Sequence, residues 1–123
     1  MLIKISKHFS ISEIACHCGC SQAIVNKELI EMAEKLRNLT GLPMIVSSVN
    51  RCTKHNSNVG GVSNSLHLSG SAMDFHIKGI PVSKLHEIAL AHHTKDGILK
   101  YGLGIYSWGC HIDVGKFRIW EGI

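Results

Sequence analysis

The stretch Ser65-Leu66-His67-Leu68-Ser69-Gly70-Ser71-Ala72-Met73-Asp74-Phe75-His76-Ile77 decides how this chain is built. From Ala72 onward the side chains alternate, so Ala72, Asp74 and His76 fall on one face of a strand and Met73, Phe75 and Ile77 on the other. One face is apolar and the other carries chemistry. Asp74 follows His67 by seven positions, too far for two groups on one helical turn. His67 therefore belongs to a short turn that feeds the strand, with Gly70 and Ala72 small enough for close backbone packing.

The alternation returns in Cys110-His111-Ile112-Asp113-Val114, which puts His111 and Asp113 on one side of a second strand and Cys110, Ile112 and Val114 on the other. Side by side, two such strands present His67, Asp74 and His111 to one point. Two imidazoles and a carboxylate are the ligand count of a catalytic zinc that keeps its fourth position open for water. Nine histidines in 123 residues also bring His and Asp together without a metal. A histidine on a strand is commonly a hydrogen-bonded structural residue, so spacing alone leaves both readings open.

Outward from these strands, Asn26–Leu39 carries Leu29, Met32, Ala33, Leu36 and Leu39 at helical spacing, with Asn26 to cap its start, Gly41 its end and Pro43 to stop it. Ser12–Ala15 predicts a short helix start. Met44–Val49 reads as a strand delivering Arg51 to a loop, and Thr53–Ser65 as a polar loop that either links or walls a site. Leu85, Ile88, Ala89 and His92 mark a second helix within Val82–His93, with Ser83 as its cap and His92 structural. Tyr101–Tyr106 reads as a strand with close backbone approach, turning at Trp108-Gly109, and Phe117–Trp120 as an added edge.

The length suits one domain over residues 1–123 with one core, at 45% hydrophobic content. A mean hydropathy of +0.13 and no apolar run near the ~20 residues of a membrane span argue against membrane insertion. Met1–Lys7 lacks an apolar core long enough for a secretory signal, so synthesis in the cytoplasm is expected. The net charge of +4 is scattered, which suits an acidic wall polymer better than nucleic acid, for which no helix-turn-helix or basic stripe is present. A monomer is expected.

Five cysteines, Cys16, Cys18, Cys20, Cys52 and Cys110, add a separate question. The Cys16-His17-Cys18-Gly19-Cys20 run lacks the C-x2-C pairing of structural zinc sites, so reduced thiols are expected ahead of a second metal or a disulfide. Cys52 and Cys110 read as small hydrophobes facing the apolar side next to the site.

Taken in order, Ser48-Val49-Asn50-Arg51, Asn56-Ser57-Asn58-Val59-Gly60-Gly61-Val62, Ser65 to Asp74 and His111-Ile112-Asp113-Val114-Gly115, with the opening His8-Phe9-Ser10-Ile11-Ser12-Glu13-Ile14, resemble the zinc D-Ala-D-Ala carboxypeptidases and related peptidoglycan peptidases, peptidase family M15, in its short phage-type branch. The resemblance covers nearly the whole chain. It implies an α+β fold of the Hedgehog/D-Ala-D-Ala peptidase kind: a small antiparallel sheet with flanking helices and a zinc site at the sheet face. It implies one zinc held by His67, Asp74 and His111, and cleavage of peptide bonds in bacterial peptidoglycan, by an endolysin-type endopeptidase or a D,D-carboxypeptidase. A phage or prophage product released at lysis and acting at the cell wall fits that branch.

Zinc polarises a peptide carbonyl and lowers the pKa of its water toward ~7, and amide hydrolysis also needs a proton acceptor and a proton donor. Several members of the family carry an acid three positions before the last ligand; here Trp108 stands there. Asp113 is then the first candidate base, with His76 and Glu121 behind it, although a carboxylate on that strand face can equally orient a metal-bound imidazole. Arg51 matches the family's substrate arginine, whose fork of donors suits a carboxylate or a developing oxyanion. Ser65 and Asn56 complete the expected substrate-binding set, Ser65 also as a turn former and Asn56, with Gly60-Gly61, as a loop shaper. A wall-binding module that carries zinc without catalysis is the rival reading that Trp108 keeps open.

Overall fold

A computed structural model describes residues 3–122. Met1, Leu2 and Ile123, and with them the first part of the segment read for a leader, lie outside the described residues. Helices α1 (Ile11–Ile14), α2 (Lys27–Thr40), α3 (Thr53–Asn58) and α4 (Val82–Ala91) accompany strands β1 (Met44–Ser48), β2 (Ala72–Ile77), β3 (Gly102–Tyr106), β4 (Gly109–Asp113) and β5 (Arg118–Glu121) in one sheet of order β1-β2-β4-β3-β5. Among the described residues no helix is long and apolar enough to cross a membrane.

The α2 stripe forms as its spacing requires. The Asn26 side chain accepts from the Leu29 N–H at 3.1 Å, Gly41 closes the helix at φ 68°, and Leu29, Ile30, Met32, Ala33 and Leu36 are buried. They share one core with Met73, Phe75 and Ile77 of β2, Leu103 and Ile105 of β3, Cys110 and Ile112 of β4, and Leu85 and Ala89 of α4. Strands β2, β3 and β4 thus spend their apolar faces on the core, while Ile119 of β5 stays exposed. The opposite face of the sheet is left for the polar residues of β2 and β4.

The sheet is mixed rather than antiparallel throughout. β1/β2, β2/β4 and β3/β4 are antiparallel, but β5 pairs parallel to β3, Gly102 lying opposite Arg118 and Gly104 opposite Trp120. Parallel pairing follows from the route of the chain. β4 ends beside the start of β3, and the short segment Val114–Phe117 carries the chain past that start to begin β5 at the same end. Gly102 makes the passage possible: a Cβ there would lie 2.2 Å from Asp113 Oδ1 and 2.4 Å from Arg118 Nη1.

Two local expectations change as well. Thr53–Ser65 opens with α3, capped by the Cys52 thiol, which accepts from the His55 N–H at 3.4 Å. α4 begins after Pro81, which offers no side-chain cap, and Ser83 lies inside the helix. Proline suits such a start because its fixed φ is already helical and no N–H is lost from the ladder.

Candidate metal centre

His67 sits in a 3-10 turn, Leu66–Ser69, that feeds β2. Ser65 starts the turn by accepting from the His67 N–H at 3.2 Å, and Gly70 ends it at φ 66°. Asn50, 2% exposed, locks the turn in place by donating to the carbonyls of His67 and Leu68, both at 3.3 Å, while accepting from the Ile24 N–H. The His67 ring is equally constrained. Its Nδ1 lies 2.8 Å from the Val49 carbonyl, which can only accept, so Nδ1 carries the proton and Nε2 of the neutral ring carries a lone pair. Nε2 is buried and has no hydrogen-bond partner; Asp74 Oδ2 lies 3.2 Å away but out of line for a hydrogen bond. A buried nitrogen left unpaired is costly in a protein interior unless something occupies that direction.

Strand register supplies the other two groups. Asp74 on β2 pairs directly with His111 on β4, and His111 Nδ1 lies 2.8 Å from Asp74 Oδ1. The second ring nitrogen, Nε2, is 2.9 Å from Asp113 Oδ2. Burial disfavours a charged His111, but the bonds with Asp113 and Asp74 outweigh it and hold the imidazolium pKa above the usual histidine value. Burial likewise works against an ionised Asp74, and its bond with His111 overcomes this, holding it well below the usual carboxylate range. His67, Asp74 and His111 each offer one ligand atom, all within 4.8 Å of one another. The donor set fits a divalent cation: one oriented lone pair, one ionised carboxylate, and one imidazole whose far nitrogen is held by a second carboxylate.

Asp113 is fully buried. Besides His111 it accepts two bonds from Arg118, at 2.8 and 3.0 Å, and one from the Gly115 N–H at 2.9 Å. Arg51 reaches the centre from the other side. Its Nη2 lies 3.3 Å from Asp74 Oδ2, Nε donates to Ser48 Oγ at 3.1 Å, Nη1 donates to Asn56 Oδ1 at 3.2 Å, and its backbone N–H donates to the His67 carbonyl. These groups stand at the foot of an open cleft of about 750 Å³ walled by Val62, Ser65, Tyr106, Trp108 and Trp120.

Of the remaining expected residues, Ser65 and Asn56 lie at the site and His76 and Glu121 do not. Ser65 lines the cleft while its hydroxyl serves the turn. Asn56 is buried, and its amide holds Arg51 on one side and the Val62 carbonyl, at 2.8 Å, on the other. A Cβ at Gly61 would lie 2.1 Å from that amide oxygen, so the glycine pair lets the loop close over it. His76 is exposed and, like Glu121, lies outside the cleft lining. Cys110 is buried as expected, and burial pushes its thiol up to about 12. Cys52 is only half-buried and faces other cysteines rather than the core. Sequence reasoning missed Arg118, Asn50 and the Val49 carbonyl. Asn50 and Val49 act on His67, 17 and 18 positions away, and Arg118 reaches Asp113 across the turn between β4 and β5, which no strand or helix periodicity marks.

The α+β scaffold thus brings buried His67 and Asp74 and half-buried His111 together under an open cleft, three donors of the kind that hold a metal ion. The chain belongs to the Peptidase M15 family, whose family model matches residues 7–113. It is also 33% identical, over 66 residues, to the probable peptidoglycan L,D-endopeptidase MepK of Haemophilus influenzae. That match covers 52% of this chain and 32% of the relative, about a third of that protein's length.

Proposed function

We propose that this chain is a zinc peptidase that hydrolyses a peptide bond in the stem or cross-bridge peptides of bacterial peptidoglycan, as an endolysin-type endopeptidase, with D,D-carboxypeptidase action the near alternative. The observation that carries the reading is His67 Nε2, buried, unpartnered and facing Asp74 beneath the cleft. The M15 family and the wall-directed name of the relative support the substrate class.

His67, Asp74 and His111 would hold the ion. Bound there, zinc supplies Lewis acidity toward a carbonyl and a lowered pKa for water. Everything else falls to the chain. Arg51, held at three points of its guanidinium, presents a fixed positive charge beside Asp74 for a substrate carboxylate or a developing oxyanion. Ser65 shapes the turn, and Asn56 fixes the angle of Arg51. Asp113 keeps His111 oriented, and its four accepted bonds favour that role over proton transfer. Tyr106, Trp108 and Trp120 wall the cleft.

The wall-binding module without catalysis remains the second reading, because Trp108, 41% exposed at the cleft, stands where several relatives place an acid. Digestion of purified peptidoglycan, with mass spectrometry of the released muropeptides, separates the two. Cleaved peptides are expected from the wild type, and none from His67→Ala, Asp74→Ala or His111→Ala, each of which should also lose tight zinc binding. A wild-type protein that binds zinc and the wall but releases nothing would establish the module.

A further inference from the structure

Away from the cleft, three cysteines of one loop meet a fourth from the far side of the sequence. Cys16 Sγ lies 3.4 Å from Cys18 Sγ, Cys18 Sγ lies 3.6 Å from Cys52 Sγ, and the Sγ atoms of Cys16, Cys18, Cys20 and Cys52 all fall within 4.8 Å of one another. In an extended strand, alternate residues stand roughly 6.6 Å apart along one face. The loop avoids this by curling, with Gly19 at φ 87° and Ser21 at φ 67°. From these positions we propose that Cys16, Cys18, Cys20 and Cys52 form a second, sulfur-only metal site that takes a zinc ion.

The size of the group selects the occupant. Four thiolates around one zinc, with Zn–S near 2.3 Å, stand about 3.8 Å apart in a tetrahedron, which the measured separations approach. A disulfide needs its sulfurs at about 2.05 Å, and each one formed removes two electrons that an oxidant must accept. Zinc binding moves no electrons: the cation takes the place of the thiol protons, which leave to solvent. Backbone groups already address the sulfurs as they would thiolates. The Cys52 N–H donates to Cys16 Sγ at 3.3 Å and the His55 N–H to Cys52 Sγ at 3.4 Å.

The site would tie the N-terminal loop to the residue beside Arg51. Cys52 is both the neighbour of that arginine and the cap of α3, so the metal would fix the point from which Arg51 approaches Asp74. Sequence spacing alone did not show this, because C-x-C-x-C is an unusual ligand run and the fourth ligand lies 32 positions beyond Cys20.

The test uses the full chain purified under reducing conditions. Elemental analysis should find about two zinc ions per chain, falling to about one in Cys18→Ser/Cys52→Ser and to about one in His67→Ala. Protein expressed in cobalt-supplemented medium should show a near-ultraviolet sulfur-to-cobalt charge-transfer band in the wild type. The band should persist in His67→Ala and vanish in the double cysteine variant. Sulfur alone gives this band, so it reports on the cluster whatever the cleft proves to bind, and its wild-type measurement stands even where the double variant does not fold. A wild-type protein without the band, or an intact mass showing the four cysteines joined as two disulfides, would overturn the proposal.

Discussion

Asp113 has every lone-pair direction of its carboxylate engaged: His111 and Arg118 hold Oδ2, and Arg118 and the Gly115 N–H hold Oδ1. Burial penalises its charge, but His111 and Arg118 overcome this and hold its pKa well below the usual carboxylate range. A group so stabilised as an anion is a poor acceptor for a proton at neutral pH. Asp113→Asn replaces one acceptor oxygen by a donor that faces either Arg118 or His111, so the imidazole loses its fixed orientation. Zinc affinity is expected to fall about 10- to 100-fold, with much of the turnover restored at saturating zinc. Competition with a chromophoric chelator, run beside peptidoglycan turnover, checks this. Full affinity with a rate lowered about 10²- to 10⁴-fold would instead assign proton transfer to Asp113.

At the scale of elements, the 3-10 turn that presents His67 depends on Gly70. Its φ of 66° is strained for any L side chain, and an added Cβ would meet the Ile24 carbonyl oxygen at 1.9 Å. Gly70→Ala is expected to destabilise the fold by roughly 2–4 kcal/mol, measured by urea unfolding, and to weaken zinc binding because His67 rides on the same turn. A loss below about 0.5 kcal/mol would mean that the Ile24 segment yields freely. This turn was legible in the sequence because the His67-to-Asp74 interval is too long for one helical turn and the alternation from Ala72 points to a strand. The α2 stripe and the pairing of Asp74 with His111 were readable for the same reason, periodicity being local. Helix α3 was not, since Thr53-Lys54-His55-Asn56-Ser57-Asn58 has no apolar stripe and is capped by a thiol. The parallel placing of β5 escaped too, because nothing in Arg118-Ile119-Trp120-Glu121 states which strand it will join. Cys52 looked like a core residue until the fold carried it to the loop of Cys16.

Across the whole molecule, the N-terminal segment is pinned to α2 through one carboxylate. Glu34 accepts from Ser6 Oγ, from the His8 N–H at 2.8 Å and pairs with the His8 ring. Burial raises its pKa, but these bonds outweigh that and hold it below the usual value of 4.5. A carboxylate depressed on folding contributes stability that is fully present above its unfolded pKa and is lost as pH falls through the folded one. Thermal unfolding should therefore show the variant Glu34→Gln less stable than wild type at neutral pH and the two converging as pH falls below the usual glutamate value of 4.5. A gap that stays constant down into the acid unfolding range would remove Glu34 from the acid response. The route of the chain past Gly102 bears on the order in which a ribosome delivers the working parts. Arg51, His67, Asp74 and His111 emerge first, and Arg118, whose guanidinium steadies Asp113 through two bonds, emerges after all of them. Nascent chains halted before that arginine would own every cation-holding group yet leave Asp113 without its two guanidinium bonds.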